Sequence, residues 1–237
     1  MATSTIGIIG SGNIGSGLAR LSVASGLDVL IGNSRGPGSL ASLVAELGDQ
    51  AEADTVEGVA GRADIVVLAL PLSAYRSLPA ARLDGKVVID AMNYYPKYTG
   101  TIEEIEQSGK FSSLFIQEFL AGAKVVKALN SIDFLRLVRS ARPTGSRQRS
   151  ALPIAGDDAE AKHIVADFLS VVGFDSVDIG GLAEGWRFQP GTPLYVTPYS
   201  RDLPNPSEDP RTRFVEAETV EVSSAQVRHL AAQAARA

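Results

Sequence analysis

The chain has 237 residues, 45% of them hydrophobic, so it can bury a full core in one domain of ordinary size with a smaller unit attached. Its 22 basic and 27 acidic residues give a net charge of −5, which argues against a nucleic acid or an anionic membrane surface as partner. The absence of cysteine excludes disulfides, a thiolate nucleophile and cysteine-ligated metals. With neither a leader-like N-terminus nor an apolar run near about 18 residues, we expect a cytoplasmic protein.

The first predicted element is a short apolar strand that turns sharply into a helix, since residues 6–15 read IGIIGSGNIG. In such a turn Gly10 makes the bend, Gly12 lets the backbone approach a pyrophosphate, and Gly15 lets the helix pack on the strand. A GxGxxG pattern is weak by itself, but here it follows an apolar run and precedes a helical stretch and a second strand. The pattern predicts a dinucleotide site, with a glycine turn of some other α/β domain as the alternative.

The second predicted strand, residues 28–31, ends without an acidic residue. NAD-specific folds place Asp or Glu about 20 residues after the glycines, where it accepts hydrogen bonds from the ribose 2′-hydroxyl. Here the position holds Asn33, Ser34 and Arg35. Arg35 offers a charged fork for a 2′-phosphate, while its two neighbours add neutral donors. The sequence therefore predicts NADP(H) as cofactor, unless Arg35 is an ordinary surface residue.

Three further apolar runs, at residues 64–70, 86–90 and 125–129, alternate with helical patterns and predict a doubly wound parallel α/β sheet. Ligands of such sheets bind beyond the carboxyl ends of the strands. The candidates are the residues that follow each run, although each could be a simple strand terminator: Leu70, Pro71, Ala91, Met92, Asn93, Asn130, Ser131 and Ile132.

A small C-terminal α+β unit is predicted after the first domain, which we assign to residues 1–145. Within residues 146–199, a strand at 150–155 precedes a helix that Asp157 or Asp158 can cap and Gly173 ends. Residues 200–237 form a proline-rich linker and an Ala-rich helix. That helix either docks on a neighbouring surface, which could belong to a second subunit, or frays.

The sequence contains no recognisable catalytic motif and no metal site. His163 and His229 fall in predicted helices and are interpreted as structural or solvated. Hydride transfer stays possible, because it needs two rings held face to face, and such positioning can lower a barrier by about 7 to 11 kcal/mol.

Several residues have two interpretations. The arginines of residues 135–149 could bind an anionic substrate tail or form a solvated connection between units. Tyr94, Tyr95 and Pro96 could wall a nicotinamide pocket or pack beneath a loop. Trp186 is interpreted as a packing residue.

The sequence resembles a known family through seven ordered strings: GSGNIGSG, IGNSRGP, VVLALP, VIDAMNYYP, VVKALNSI, AGDDAEA and GFDSVDIGGLAEG. Spread over about residues 5–198, they are similar to the NADPH-dependent reductases of coenzyme F420, a 5-deazaflavin. The resemblance implies a Rossmann domain with a small C-terminal unit, commonly homodimeric, that carries hydride between NADPH and the deazaflavin.

The resemblance also implies roles for single residues. The cofactor would be held by Gly10, Ser11, Gly12, Asn13, Ile14 and Gly15 at the pyrophosphate, by Asn33, Ser34 and Arg35 at the 2′-phosphate, and by Ala69, Leu70, Pro71, Ala91 and Asn93 at the nicotinamide half. The deazaflavin, the second substrate, would be seated by Asn130, Ser131 and Ile132, with Pro193 and Leu194 on the far side. No catalytic acid or base is implied.

Three functional hypotheses follow. The first is an NADP(H):F420 oxidoreductase. The second keeps NADPH but reduces another acceptor, such as a flavin, an imine or a metal chelate. The third is a non-catalytic NADPH sensor whose C-terminal tail reports occupancy to a partner.

Overall fold

The fold is known from a computed structural model that describes residues 4–201 and 217–235, apart from the side chain of Tyr98. Within these residues one sheet contains eight strands, in the order β3-β2-β1-β4-β5-β6-β7-β8. They are β1 (Ile6–Ile9), β2 (Val29–Gly32), β3 (Ala51–Ala53), β4 (Ile65–Leu68), β5 (Val87–Asp90), β6 (Lys124–Lys127), β7 (Ala151–Gly156) and β8 (Asp175–Asp178). A separate ribbon pairs β9 (Ser200–Arg201) with β10 (Glu218–Thr219).

Helices cover both faces of this sheet. They are α1 (Asn13–Ala24), α2 (Ala41–Leu47), α3 (Val56–Arg62), α4 (Pro96–Thr99), α5 (Glu103–Ser108), α6 (Ser112–Phe119), α7 (Phe134–Ser140), α8 (Ala159–Val171) and α9 (Ser224–Gln233). One hydrophobic cluster joins the sheet to α1, α7 and α8, and a second joins it to α3, α5 and α6. Strands covered on both sides explain why the sequence runs at β4 and β5 are continuously apolar.

The predicted doubly wound α/β fold is confirmed. Strands β1 to β6 are parallel, and the connection reverses direction between β1 and β4. The crevice at this reversal, beyond the carboxyl ends of the strands, is where such sheets bind ligands. Strand β7 runs antiparallel to β6, and β8 runs parallel to β7, so the segment after residue 145 extends the same sheet. The boundary at residue 145 stays a prediction.

The C-terminal helix α9 docks on its own chain. Ser223 caps it in a capping box with Gln226, and its buried residues Val227 and Ala231 belong to the main hydrophobic cluster. The helix contacts β7 and β8, and the Ala151 N–H donates to the carbonyl of Val222 just before it. Of the two outcomes considered for the tail, docking is the one observed. The predicted linker falls mostly on residues 202–216, which lie outside the described residues.

Neither interpretation of the arginine-rich stretch holds for its two buried members. Arg136 is fully buried, pairs with Asp133 and donates to the carbonyl of Ala217. Arg149 is nearly buried, pairs with Asp175 at 2.8 Å and donates to three backbone carbonyls. These guanidinium groups fasten the C-terminal segments to the sheet, because each satisfies carbonyls that water does not reach.

Candidate functional site

The glycine turn after β1 has the geometry that its sequence predicts. Gly10 adopts φ +113°, a conformation that side chains rarely tolerate, and a Cβ there would lie 2.2 Å from the Ala69 carbonyl oxygen. A Cβ on Gly15 would lie 1.9 Å from the Gly10 carbonyl oxygen and 3.3 Å from the Ile8 side chain. Both glycines are therefore required by the protein's own packing.

The packing of the protein does not require a glycine at position 12. The Gly12 φ of −72° suits any residue, and a Cβ placed there would meet no protein atom within 4 Å. It precedes α1, lines a cavity and offers no side chain to cap that helix. The first N–H groups of the helix thus lack a side-chain partner, and the open space over them fits the close approach of a pyrophosphate.

The loop after β2 is organised by Asn33. Its Nδ2 donates to Ser11 Oγ at 2.8 Å and Ser39 Oγ at 3.0 Å, while its Oδ1 accepts the Arg35 N–H at 2.8 Å. Asn33 thereby ties the glycine turn to the loop that carries Arg35. The Arg35 side chain is exposed and makes no hydrogen bond or ion pair with the part of the chain that the structure describes. Asn33 thus positions Ser11 and the Arg35 backbone, and the Arg35 guanidinium is exposed where an anion could reach it.

These two loops line the first cavity, which has a volume of about 680 Å³. Its far wall was not foreseen: Thr55, Val56 and Glu57 at the start of α3, and Ala74 and Ser77 after β4. Thr55 and Val56 follow β3, a strand of three residues that contains no apolar run by which it could be predicted. The lining contains one arginine, one glutamate and no aromatic residue.

The second cavity, of about 380 Å³, shares Ala69, Leu70 and Pro71 with the first. The two cavities therefore meet at the carboxyl end of β4. The lining of the second is mostly apolar and comes from α1 and the segments after β4, β5, β6 and β8. Its residues are Ile14, Ala69, Leu70, Pro71, Leu72, Ala91, Met92, Asn93, Tyr95, Thr99, Leu129, Asn130, Ile132, Asp133, Phe134, Tyr195 and Val196.

The loops after β5 and β6 are locked to one another. Asn93 Nδ2 donates to the Asn130 carbonyl at 2.9 Å, and Asn130 Nδ2 donates to Asn93 Oδ1 at 3.1 Å and to the Phe188 carbonyl at 3.0 Å. Both amide Nδ2 groups donate to the protein, whereas Asn130 Oδ1 is buried and has no hydrogen-bond partner among the described residues. These hydrogen bonds fix the shape of the cavity wall.

A fully buried ion pair lies beneath the same loops. Asp90 accepts the Met92 N–H at 3.0 Å, the Ser113 hydroxyl at 2.8 Å and the Lys127 ammonium at 3.2 Å. Lys127 also donates to the Met92 carbonyl. Burial lowers the pKa of the Lys127 ammonium, and the Asp90 carboxylate opposes that shift. The pair holds Met92, a lining residue, by both its N–H and its carbonyl.

The structure does not bring every predicted residue to a cavity. Pro193 is exposed and Leu194 is fully buried, and neither lines the second cavity, whereas the next residues, Tyr195 and Val196, do. Ser131 is buried behind the wall, and its carbonyl accepts the Val196 N–H at 2.8 Å.

Among the remaining predicted site residues, Ser11, Ser34 and Arg35 line the first cavity and Ile14 lines the second. Asn13 is exposed at the start of α1 and lines neither cavity, and Gly15 supports the turn from below. Tyr95 lines the second cavity, while Tyr94 bonds to Glu106 at 2.7 Å and receives the Ile102 N–H at 3.0 Å.

The remaining protic and packing residues lie away from the cavities. His163 is exposed beside Asp167, and His229 is exposed beside Gln233, so both are solvated as predicted. Trp186 packs against Phe111 with ring centroids 5.9 Å apart. Within residues 4–201 and 217–235, no three His, Asp or Glu side chains are grouped to hold a metal ion. Over the same residues, every helix is too short or too polar to cross a membrane.

Residues 5–94, from β1 through the loop after β5, match the family described as NADP oxidoreductase, coenzyme F420-dependent. The metalloreductase STEAP3 of Rattus norvegicus is 32% identical over 195 residues. That match covers 81% of this chain but 37% of the relative, so the chain spans little more than a third of it.

Two solved structures are similar over most of their length. A hypothetical protein from Sinorhizobium meliloti is 33% identical with a TM-score of 0.69, covering 81% of this chain and 93% of that one. A candidate F420-dependent NADP-reductase from Arthrobacter sp. FB24 is 26% identical with a TM-score of 0.64, covering 75% and 85%.

Proposed function

Since the chain belongs to the family of coenzyme F420-dependent NADP oxidoreductases, we propose that it exchanges a hydride between NADP(H) and oxidised or reduced coenzyme F420. The observation that carries this proposal is the meeting of two unlike cavities at Ala69–Pro71. One lies beside a helix start and is lined by Arg35 and several polar residues, and the other is mostly apolar and has aromatic residues in its lining. A dinucleotide that follows the first cavity would extend its reactive ring into the second.

The first cavity fits the phosphorylated end of NADP(H). Gly12 leaves room over the N-terminus of α1 for the pyrophosphate, and the Arg35 guanidinium makes no hydrogen bond or ion pair with the described residues. A guanidinium matches a phosphate through paired hydrogen bonds. Glu57 lines the same cavity from α3, whereas no acid follows β2 to accept a free 2′-hydroxyl.

When bound, NADPH supplies the hydride, and the chain's residues supply position. Leu70, Ala91 and Met92 form apolar walls that exclude water, and the Asn93–Asn130 hydrogen bonds hold two loops in one arrangement. Holding two reactants in near-attack geometry accounts for about 7 to 11 kcal/mol of barrier in well-oriented reactions. No acid or base from these loops is needed for that contribution.

The second cavity favours an acceptor with a planar, largely apolar ring. Asp133 is the one charged residue of its lining, and its Oδ1 already accepts the Leu135 and Arg136 N–H groups while pairing with the Arg136 guanidinium. A planar ring would bury apolar surface against Leu129, Ile132 and Val196 without losing charge solvation. The similarity to STEAP3 supports a second candidate acceptor, a metal chelate.

The test is an acceptor comparison with the full chain. NADPH is mixed with the protein and, separately, oxidised F420, FMN or an iron(III) chelate, and the visible absorption of each acceptor and of NADPH is followed. We expect rapid bleaching of F420 and slower or no reduction of the chelate. Preferential reduction of iron would replace F420 by the second candidate, and NADPH binding without any reduction would favour the sensor.

A further inference from the structure

We propose that Tyr95 and Tyr195 form an aromatic pair that recognises the ring of the hydride acceptor, an inference that rests on the proposed function. Both line the second cavity, although they are 100 residues apart in sequence. Their rings meet edge to face, with centroids 6.5 Å apart and an interplanar angle of 66°, and their hydroxyls are in contact. The pair joins the loop after β5 to the segment that follows Phe188.

The backbone beside Tyr195 is held in an unfavourable conformation. Val196 has φ +58° and ψ −51°, and the Thr197 N–H donates to the Tyr195 carbonyl at 2.6 Å, which makes a γ-turn with a β-branched residue at its centre. The other non-glycine residue with positive φ among the described residues is Leu129, at +64°. Both line the second cavity, and strain of this kind persists where the surroundings over-determine it, most often at ligand sites.

The γ-turn has a visible anchor. The Val196 N–H donates to the Ser131 carbonyl at 2.8 Å, so the segment that carries Tyr195 is fixed to the loop after β6. That loop is itself fixed to Asn93, two residues before Tyr95. The aromatic pair therefore belongs to segments that hydrogen bonds join through the loop after β6.

Other polar groups of the lining are less suited to recognise a ring. The Thr99 hydroxyl donates to the Tyr95 carbonyl, the Asn93 and Asn130 amides bond to each other, and Asp133 caps α7 through Oδ1. Asn130 Oδ1 and Asp133 Oδ2 are buried and have no partner among the described residues, so they offer single acceptor atoms and no flat surface. Tyrosine rings offer flat apolar surface with a polar tip, which is the surface that an aromatic acceptor stacks on. The first cavity has no aromatic lining, so the pair should not act on the adenosine and pyrophosphate end of the nucleotide. Within the second cavity we assign the pair to the acceptor ring and not to the nicotinamide, which the binding of NADP⁺ tests.

The experiment measures binding directly. Oxidised F420 and FMN are titrated by fluorescence in the presence of NADP⁺, and NADP⁺ alone by calorimetry, for the wild type and for Tyr195→Ala, Tyr195→Leu and Tyr195→Phe. We expect Ala and Leu at position 195 to weaken binding of the preferred ring about tenfold, because the stacking surface is lost, and Phe to change it by less than about threefold. Binding of NADP⁺ should stay within about twofold in every variant.

Tyr94→Phe is the matched control, since Tyr94 lines neither cavity and we expect unchanged affinities. Tyr195→Leu retains a larger apolar side chain than alanine, so a loss of affinity in this variant cannot be attributed to collapse of the cavity wall around a small alanine. Unchanged ring affinity in Tyr195→Leu, or an equal loss for NADP⁺, would overturn the role of the pair while leaving the proposed function intact. A wild-type protein that binds NADP⁺ but neither ring would overturn both.

Discussion

The two cavities lie at one edge of one sheet, yet they are constructed differently. The first is lined by residues 9–77, and its essential shape comes from two short loops with glycine and asparagine at set positions. The second draws its lining from residues 14–196 and is held by hydrogen bonds between loops that are distant in sequence. Local chain geometry defines the first site, and tertiary packing defines the second.

This difference suggests how each site responds to change. In the first cavity, Gly12 and Arg35 are not needed for the packing of the chain, so changes at these two residues should be local and specific to the nucleotide. The second rests on a buried ion pair and a strained turn, so its failures should extend into the stability of the fold.

The largest effect is expected for Lys127→Met. It leaves the Asp90 carboxylate buried with two neutral donors, and breaking a buried pair in this way costs about 3 to 5 kcal/mol. Denaturant unfolding would measure the loss. Adding Asp90→Asn to the same variant should restore part of it, because no charge then stays buried. A loss below about 1 kcal/mol would contradict the importance given to this pair.

Arg35→Ala tests the first cavity. We expect NADPH affinity to fall by about 1.5 to 3 kcal/mol while NADH affinity is spared, the range for one lost charge-assisted hydrogen bond. Calorimetric titration of both nucleotides measures this. Arg147→Ala, at an exposed position outside both cavities, is the control. Equal losses for the two nucleotides would refute the contact with the 2′-phosphate.

Gly12→Ala should separate binding from folding. No protein atom lies within 4 Å of the added Cβ, so the only expected cost to folding is the replacement of glycine by alanine at the N-cap of α1, about 1 kcal/mol or less. NADPH affinity should fall about tenfold, because overpacking a close contact costs about 1 to 3 kcal/mol. Gly61→Ala, on an exposed turn of α3 with equally open surroundings, should leave affinity unaltered. Unchanged binding in Gly12→Ala would remove the pyrophosphate from this position.

The smallest effect is expected for Asp158→Ala at the N-cap of α8, a residue that lines neither cavity and serves as a reference. The lost cap should cost about 1 kcal/mol, and Asp158→Asn should cost less because it still caps. The Ala161 N–H and Lys124 hold the pKa of Asp158 below its ordinary 3.8. The contribution of the Asp158 carboxylate to the free energy of unfolding is therefore present above pH 3.8 and is lost as the pH falls through the pKa of the folded state. Denaturant unfolding of the wild type and of Asp158→Asn at pH 7 and pH 3 would detect this loss.

Part of the first cavity could be predicted from sequence, because the loops that form it are recognisable from a few neighbouring residues. The glycine pattern at residues 10–15 predicts the turn after β1, and the absence of Asp or Glu at residues 33–35 is read directly from the sequence. Its far wall could not be predicted, since β3 has three residues in the pattern Ala-Glu-Ala, with one of them buried. Because β3 is so short, an alternation of apolar and polar residues cannot be recognised in it, and the strand is identified only by its pairing with β2 in the structure.

The second cavity was predicted only in outline. The edge residues Ala91, Asn93, Asn130 and Ile132 were placed by the rule for parallel sheets. The expectation for Pro193 and Leu194 missed the lining by one or two positions, because a γ-turn centred on valine gives no signal in composition. Sequence patterns also treated the arginines near residue 140 as solvated or ligand-binding, since charge alone does not reveal a buried carbonyl partner.

The docking of α9 has a consequence for how the protein is made. Val222, Val227 and Ala231 join the core on β7 and β8, but the ribosome adds them after every strand of the large sheet. While residues 1–200 emerge, the last two strands lack part of their apolar cover. The nascent chain therefore passes through a stage in which this region is open to chaperones or to premature association.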